Sequence, residues 1–359
     1  MVGKKKKIEV IGGGGEDGDV IKTLMASINK KVKGSACILS AGEKLRVKDY
    51  VSTGCTVLDC IIGNTEKSGF PIGKISMISG EPSSGKSLLC YSLIAEIQKQ
   101  GGIAALIDTE RSIDLDFLVR QDVQTDKLLY SQPETMEEAL ETIEAIIDNV
   151  TASGNKGKTL ICFDSLAATP TTEELETGGF DPKKTIASKA RCLSSGLPKI
   201  NEKIDQSSVA LVMTNQLRMK LNTSMFEDPF TTMGGGSPKF YSTIMVRLYK
   251  GKLIKDAQGL GIGILARAKI EKSRISPPFR QCTYEMSFAK GMENWKTAYR
   301  FLLDCEVISK HHGWRSIVGH KGEEKRFQES DWDDMESDGE FKGFIYSLIE
   351  NKLIIRYKE

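Results

Sequence analysis

Along residues 51–286 the apolar positions fall into two arrangements. One is a short unbroken run. Such runs occur at 75–79, at 103–107 ending in Asp108, at 128–130, at 160–163 ending in Asp164, and at 209–213 leading into Thr214-Asn215-Gln216. The other is a stripe at helical spacing. Leu89, Leu93, Ile94 and Ile97 make one within 88–100, and 135–150 and 186–204 are further helical stretches. Gly196 and Pro198 are expected to bend the last. Runs of this kind read as strands buried on both faces, and the stripes as helices covering them. The expected fold class is therefore α/β, with a mostly parallel central sheet flanked by helices. The segments 243–250, 263–272 and 282–288 alternate more clearly and read as antiparallel additions to that sheet.

The flanks differ from this middle. Residues 1–18 carry Lys4 to Lys7 and Gly12 to Gly15 and read as a flexible tail. Within 19–50, Ile21, Leu24, Met25, Ile28 and Val32 form one apolar stripe. That helix packs on its own domain or docks on a neighbouring subunit. From about residue 294 the composition shifts, and Trp295, Trp314 and Trp332 among charge-rich loops suggest a small α/β domain at 292–359.

Bulk composition narrows the partners more than the fold. Of 359 residues, 40% are hydrophobic and 27% charged, ordinary for a globular protein. No apolar run approaches the ~18 residues of a membrane span, and no secretory pattern stands at the N-terminus. The eight cysteines include no C-x-x-C pair and read as buried, reduced thiols of a cytosolic protein. Cys305, His311 and His312 match no standard zinc spacing. The net charge is only +2, so nucleic-acid binding has to come from local basic patches.

The chemistry concentrates where the apolar runs end. Gly80, Glu81, Pro82, Ser83, Ser84, Gly85, Lys86 and Ser87 fit the phosphate-binding loop G-x-x-x-x-G-K-[ST], between a strand and a helix as that loop requires. Small residues let backbone N–H groups curl around phosphate oxygens, and the helix N-terminus adds its free N–H groups. Lys86 is placed to reach the β- and γ-phosphates, and the Ser87 hydroxyl to hold Mg²⁺. Asp164 closes an apolar strand as a Mg²⁺-shell carboxylate does. Glu110, clear of the strand end at Asp108, is the candidate base for a water attacking the γ-phosphate. The stretch 217–238 is long for a loop and combines Arg218 and Lys220 with apolar Leu221, Met225 and Phe226 and with Gly234-Gly235-Gly236. An apolar wedge among cations suits an unstacked nucleic-acid strand. Arg267, Lys269, Lys272 and Arg274 form a cationic run. It is either a solvated sheet edge or a charge offered to a phosphate on a neighbouring molecule.

The segments Gly80 to Ser87, Ser131 to Thr135, Asp164 to Ala168, Asn215 to Lys220, Lys239-Phe240-Tyr241 and Pro278 to Gln281 together resemble the RecA family of homologous-recombination ATPases, most nearly its bacterial and phage members. The resemblance covers about 51–291 and implies a RecA-like ATPase core there. It makes 19–50 an oligomerisation helix and linker. By position it implies Glu110 as catalytic glutamate and Gln216 as γ-phosphate sensor. Asp114, Phe117 and Phe288 become adenine contacts. The stretches 173–184 and 217–238 become DNA loops, with contacts at Ile186, Arg191, Arg218, Lys220, Leu221, Gly234 and Gly235. Lys272 and Arg274 become cations reaching the neighbour's ATP, and Phe240 an interface residue. Typical relatives carry two lysines where this chain has Lys272 and Arg274, and guanidinium is a planar fork rather than a point charge.

The implied function is a DNA-dependent ATPase with ATP and Mg²⁺, forming a homo-oligomeric helical filament on single-stranded DNA. It pairs and exchanges strands with homologous double-stranded DNA in recombination, repair and the SOS response. The setting is the cytoplasm of a bacterial or phage-infected cell, with loader or mediator proteins as further partners. A RecA-fold ring helicase and an ATP-locked DNA-coating scaffold are the alternatives.

Overall fold

The computed structural model describes residues 17–33, 35–37, 47–66, 68–154, 157–176, 182–205, 207–219, 229–319 and 322–355, without the side chains of 17–18 and 182–186. Most of the expected tail, the tips of both expected DNA loops, Lys220, Leu221 and the side chain of Ile186 lie outside these residues.

The chain divides into Met1–Val47 and Lys48–Glu359. The first unit contains α1 (Asp17–Lys31), on which Val20, Ile21, Leu24 and Ile28 are exposed. Asn29 exchanges two hydrogen bonds with the Ala36 backbone, turning the chain after the helix.

In the second unit β1 (Tyr50–Val51) and β2 (Phe70–Pro71) pair around α2 (Thr56–Gly63). Then come β3 (Ile75–Gly80), α3 (Lys86–Lys99), β4 (Ile103–Asp108), α4 (Leu115–Arg120), β5 (Leu128–Ser131), α5 (Met136–Ala152) and β6 (Thr159–Asp164). They are followed by α6 (Thr172–Glu176), α7 (Pro182–Asp205), β7 (Val209–Met219), β8 (Phe230–Thr232), α8 (Ser237–Tyr241), β9 (Ile244–Lys255), β10 (Gly261–Ser273), β11 (Gln281–Ser287) and β12 (Gly291–Met292). The chain continues through α9 (Asn294–Asp304), the antiparallel β13 (Ser309–His311), β14 (Trp314–Val318) and β15 (Glu324–Phe327), and α10 (Gly339–Leu353).

The large sheet has the order β12-β11-β10-β9-β3-β7-β6-β4-β5, with β8 on the end of β7. From β9 to β5 every pairing is parallel. The expectation of three antiparallel additions holds for β10 and β11 but not for β9, which lies parallel to β3. A parallel pairing needs a crossover, and the chain between β7 and β9 supplies one through β8 and α8.

Alternate residues of the buried strands feed two hydrophobic layers. Ile78, Leu106, Cys162, Val212 and Val246 face α3, where Leu89, Leu93, Ile94 and Ile97 meet them. Met77, Ile107, Phe163 and Met213 face α5 and α7, meeting Ile143, Ile147, Leu193 and Leu197. The helical stretch expected at 186–204 is one helix of 24 residues, α7, with Gly196 and Pro198 inside it. A Cβ on Gly196 would stand 2.6 Å from Leu140 Cδ1, so the glycine lets α5 and α7 approach closely.

The layer on α3 continues without interruption into Trp295, Trp332, Phe341 and Ile345. Trp295 and Trp332 stack at 4.4 Å between centroids. Each indole N–H donates to the other's carbonyl, at 2.6 and 3.0 Å. Arg280 donates to Cys60 O, Asn64 Oδ1 and Leu353 O, joining β11 to α2 and α10.

Candidate active site

Strand β3 delivers the chain to Gly80 and α3 takes it up at Lys86. The turn between them needs left-handed backbone at Ser83 (φ 60°) and Gly85 (φ 91°). A Cβ on Gly80 would stand 2.3 Å from Ser84 Oγ and 2.9 Å from Leu248 O, so that position is closed to any side chain. Lys86 Nζ donates to the Gly80 and Glu81 carbonyls at 3.2 and 3.0 Å. Burial pulls its pKa down, while Asp164 and Glu110 oppose that shift.

The end of β6 lies beside this loop. Asp164 accepts hydrogen bonds from Ser87 Oγ at 2.7 Å and from Thr214 Oγ1. Burial raises its pKa against these two bonds, which favour the carboxylate. The buried Ser84 hydroxyl has no hydrogen-bond partner among the described residues. An unpaired hydroxyl, a Cβ-free loop and the N-terminus of α3 fit a polyphosphate. A hydroxyl beside a carboxylate is a hard oxygen donor set, which fits Mg²⁺. A cavity of about 680 Å³ opens over the loop, lined by Lys86, Ser87, Glu110, Gln216, Lys250 and Phe288 among others.

Glu110 is held by its surroundings rather than by its own strand. The buried Asp108 accepts from the N–H groups of Glu110 and Arg111, both at 3.0 Å, folding the chain back after β4. Glu110 Oε1 then accepts from Ser165 Oγ at 2.7 Å and Gln216 Nε2 at 3.0 Å. Gln216 stands opposite Gly80 in the parallel β3–β7 register, which brings it to the same end of the sheet. Thus Lys86, Ser87, Glu110, Asp164 and Gln216 converge, as the sequence predicts. The hydrogen bonds from the Ser165 and Thr214 hydroxyls, the turn built on Asp108 and the place of Lys250 in the lining go beyond what the strand-end pattern predicts. Their signal is weak, since a threonine or serine beside a strand end is common.

Of the three expected base contacts, Asp114 and Phe117 are not among the residues lining the cavity. Phe288 lines the cavity. Asp114 caps α4, accepting from Phe117 N at 2.8 Å. Phe117 packs edge-on to Tyr91, and Gln121 at the end of α4 donates to Phe288 O at 3.1 Å.

Lys272 and Arg274 are not brought to this cavity. Lys272 Nζ donates to Lys239 O and Phe240 O, and Arg274 Nη2 donates to Phe240 O at 2.9 Å. The guanidinium lies 5.5 Å from the Phe240 ring, which is itself 64% exposed.

The stretch 217–238 has more structure than an open loop. Strand β7 runs on to Met219 and pairs antiparallel with β8, from Leu217↔Thr232 to Met219↔Phe230. Arg218 is exposed on that extension. Gly234 (φ 88°) and Gly235 (φ 73°) carry the return limb over α7, where added Cβ atoms would stand 2.6 Å from Leu193 Cδ1 and 3.1 Å from Ala190 Cβ. Arg191 on α7 pairs with Glu173 at 2.7 Å.

The RecA N-terminal domain model matches residues 19–293. The chain is 34% identical over 308 residues to Protein RecA of Helicobacter pylori (strain P12), covering 85% of each. It is 33% identical over 307 residues to Protein RecA of Desulforapulum autotrophicum, covering 85% of this chain and 84% of that protein. With Protein RecA of Leptospira biflexa it shares 34% identity over 302 residues, 84% of this chain and 75% of that protein. With a family match over most of its length, joined to a phosphate loop, carboxylate and glutamine gathered at one sheet end, the chain belongs to the RecA family.

Proposed function

We propose that the cavity over Gly80–Ser87 is the ATP site and that the residues around it divide the work as follows. The protein is a DNA-dependent ATPase that forms filaments and carries out homologous pairing and strand exchange, with ATP and Mg²⁺. The loop amides and Lys86 bind the phosphates, and Ser87 and Asp164 hold the metal shell. Bound Mg²⁺ supplies positive charge to the phosphate oxygens. Glu110 takes a proton from the attacking water. Gln216 ties Glu110 to β7, whose extension opens the second DNA loop. Asp114, Phe117 and Phe288 hold the base.

Lys272 and Arg274 serve the neighbouring protomer's site, and Phe240 belongs to the same seam. Neither lines its own cavity and both donate to Phe240 O, which supports that reading. Arg191, Arg218, Gly234 and Gly235 face DNA, joined by Ile186, Lys220 and Leu221. Residues 19–50 supply the oligomerisation helix and linker, 51–291 the ATPase core, and 292–359 the C-terminal domain. Loader or mediator proteins, and a cytoplasmic setting in a bacterial or phage-infected cell, complete the reading.

The observation that carries it is Glu110 Oε1, shared by Ser165 and Gln216 at the mouth of the phosphate cavity. One carboxylate thereby joins hydrolysis to the strand that leads into the DNA loop. The test measures ATP turnover with and without single-stranded DNA, alongside strand exchange and electron microscopy with a non-hydrolysable ATP analogue. DNA-stimulated turnover and nucleotide-dependent filaments are expected. Turnover indifferent to DNA, or no filaments on DNA, overturns the assignment.

A further inference from the structure

Strand β9 has two faces with different neighbours. On one side Leu248 O borders the phosphate loop at Gly80, and Lys250 and Gly251 line the nucleotide cavity. On the other side Arg247 is buried with its guanidinium 5.1 Å from the Phe230 ring and 5.1 Å from the Tyr249 ring. Glu271 accepts from Arg247 Nη1 at 3.3 Å, and Arg267 covers the Tyr249 ring at 4.1 Å. Register explains the assembly. Arg247 and Tyr249 are two residues apart on β9, opposite Lys269 and Arg267 on β10. Phe230 opens β8, opposite Met219 at the point where the second loop leaves the sheet.

The rings and guanidinium therefore form one stack from the loop's return limb to the strand bordering the nucleotide. A buried arginine between two aromatic faces is a desolvated cation–π arrangement, the stronger kind. The return limb, through Phe230, is thus one of the groups that hold Arg247 in place. Movement of Phe230 changes what holds Arg247, and Arg247 and Tyr249 share their backbone with Leu248 and Lys250.

We propose that Arg247 and Tyr249 are positioning residues that transmit the state of the second DNA loop to the nucleotide cavity through β9, alongside the Gln216–Glu110 contact. The inference rests on 217–238 being the DNA loop, as read under Proposed function.

The experiment measures ATP kcat and KM with and without saturating single-stranded DNA, and DNA affinity, for the full chain and four variants. Tyr249→Leu removes the ring face, while Tyr249→Phe keeps it. Tyr249→Leu is expected to keep DNA-free turnover and DNA affinity but to lose about twofold to thirtyfold of the stimulation, the span of the cation–π contact with Arg247. Tyr249→Phe is expected to behave as wild type. Phe230→Leu is the second arm, read by the same loss of stimulation and by its recovery in Phe230→Tyr. Wild-type stimulation in Tyr249→Leu or Phe230→Leu overturns the inference, as does a proportional fall of DNA-free and DNA-dependent turnover. A wild-type protein that DNA fails to stimulate overturns the loop reading and this inference with it.

Discussion

Replacing Glu110 with glutamine separates chemistry from architecture. Glu110 Oε1 accepts from Ser165 Oγ at 2.7 Å and Gln216 Nε2 at 3.0 Å. A glutamine carbonyl accepts both bonds from the same place, so the two neighbours stay paired. Each bond becomes neutral rather than charge-assisted, a loss of about 1 kcal/mol or less apiece. Lys86 loses one of its two nearby carboxylates but keeps Asp164. The basicity, in contrast, disappears outright. A positioned general base contributes about 10²–10⁴ in rate, or roughly 3–5 kcal/mol of barrier. Single-turnover phosphate release on saturating single-stranded DNA is therefore expected to slow by that factor. ATP-analogue affinity and filaments seen by electron microscopy are expected to persist. Turnover within about tenfold of wild type refutes Glu110 as the base. Loss of filaments together with turnover shows that Glu110 holds the structure rather than the water.

Two other perturbations are equally direct. Arg274 does not line its own cavity, so if it serves the next protomer, as proposed, Arg274→Ala should lower DNA-stimulated turnover by about 10³ or more. In an equal mixture of Arg274→Ala and Glu110→Gln protomers, about a quarter of the seams join an intact Glu110 to an intact Arg274 and turnover should partly return; a mixture as inactive as its parts rules out action in trans. Burial pushes the Asp59 carboxyl from 3.8 up to about 7, over the opposing hydrogen bonds from Ser52 and Thr53. Between those values the folded chain holds a proton that the unfolded chain releases. The stability this provides is therefore present below about pH 4 and lost as pH rises through about 7. Asp59→Asn should raise Tm relative to wild type at pH 8 by the equivalent of up to about 4 kcal/mol and give no such gain near pH 4; an equal difference at both pH values refutes it.

The strands that build the site were legible because each is an unbroken apolar run closing in a polar residue. Asp108, Asp164 and the Thr214–Gln216 segment mark the ends of β4, β6 and the buried part of β7. A parallel sheet aligns those ends, so residues far apart in sequence converge without any local signal between them. The direction of β9 was not legible. Its alternation is the same whether its neighbour is parallel or antiparallel, and only the crossover through α8 decides. Nor was the stretch 217–238, because polar residues and glycines hid a strand extension, β8 and the start of α8. The partners of Glu110 follow from tertiary register, which no single-chain pattern encodes.

The mutual stack of Trp295 and Trp332 gives this protein a built-in optical reporter. All three tryptophans of the chain lie beyond residue 293, two of them buried in that stack and Trp314 half open to water. Intrinsic indole emission consequently watches the C-terminal segment and is silent on the phosphate loop. Comparing its melting curve with loss of far-ultraviolet dichroism reports whether that segment parts from the sheet before the rest unfolds, with no label attached.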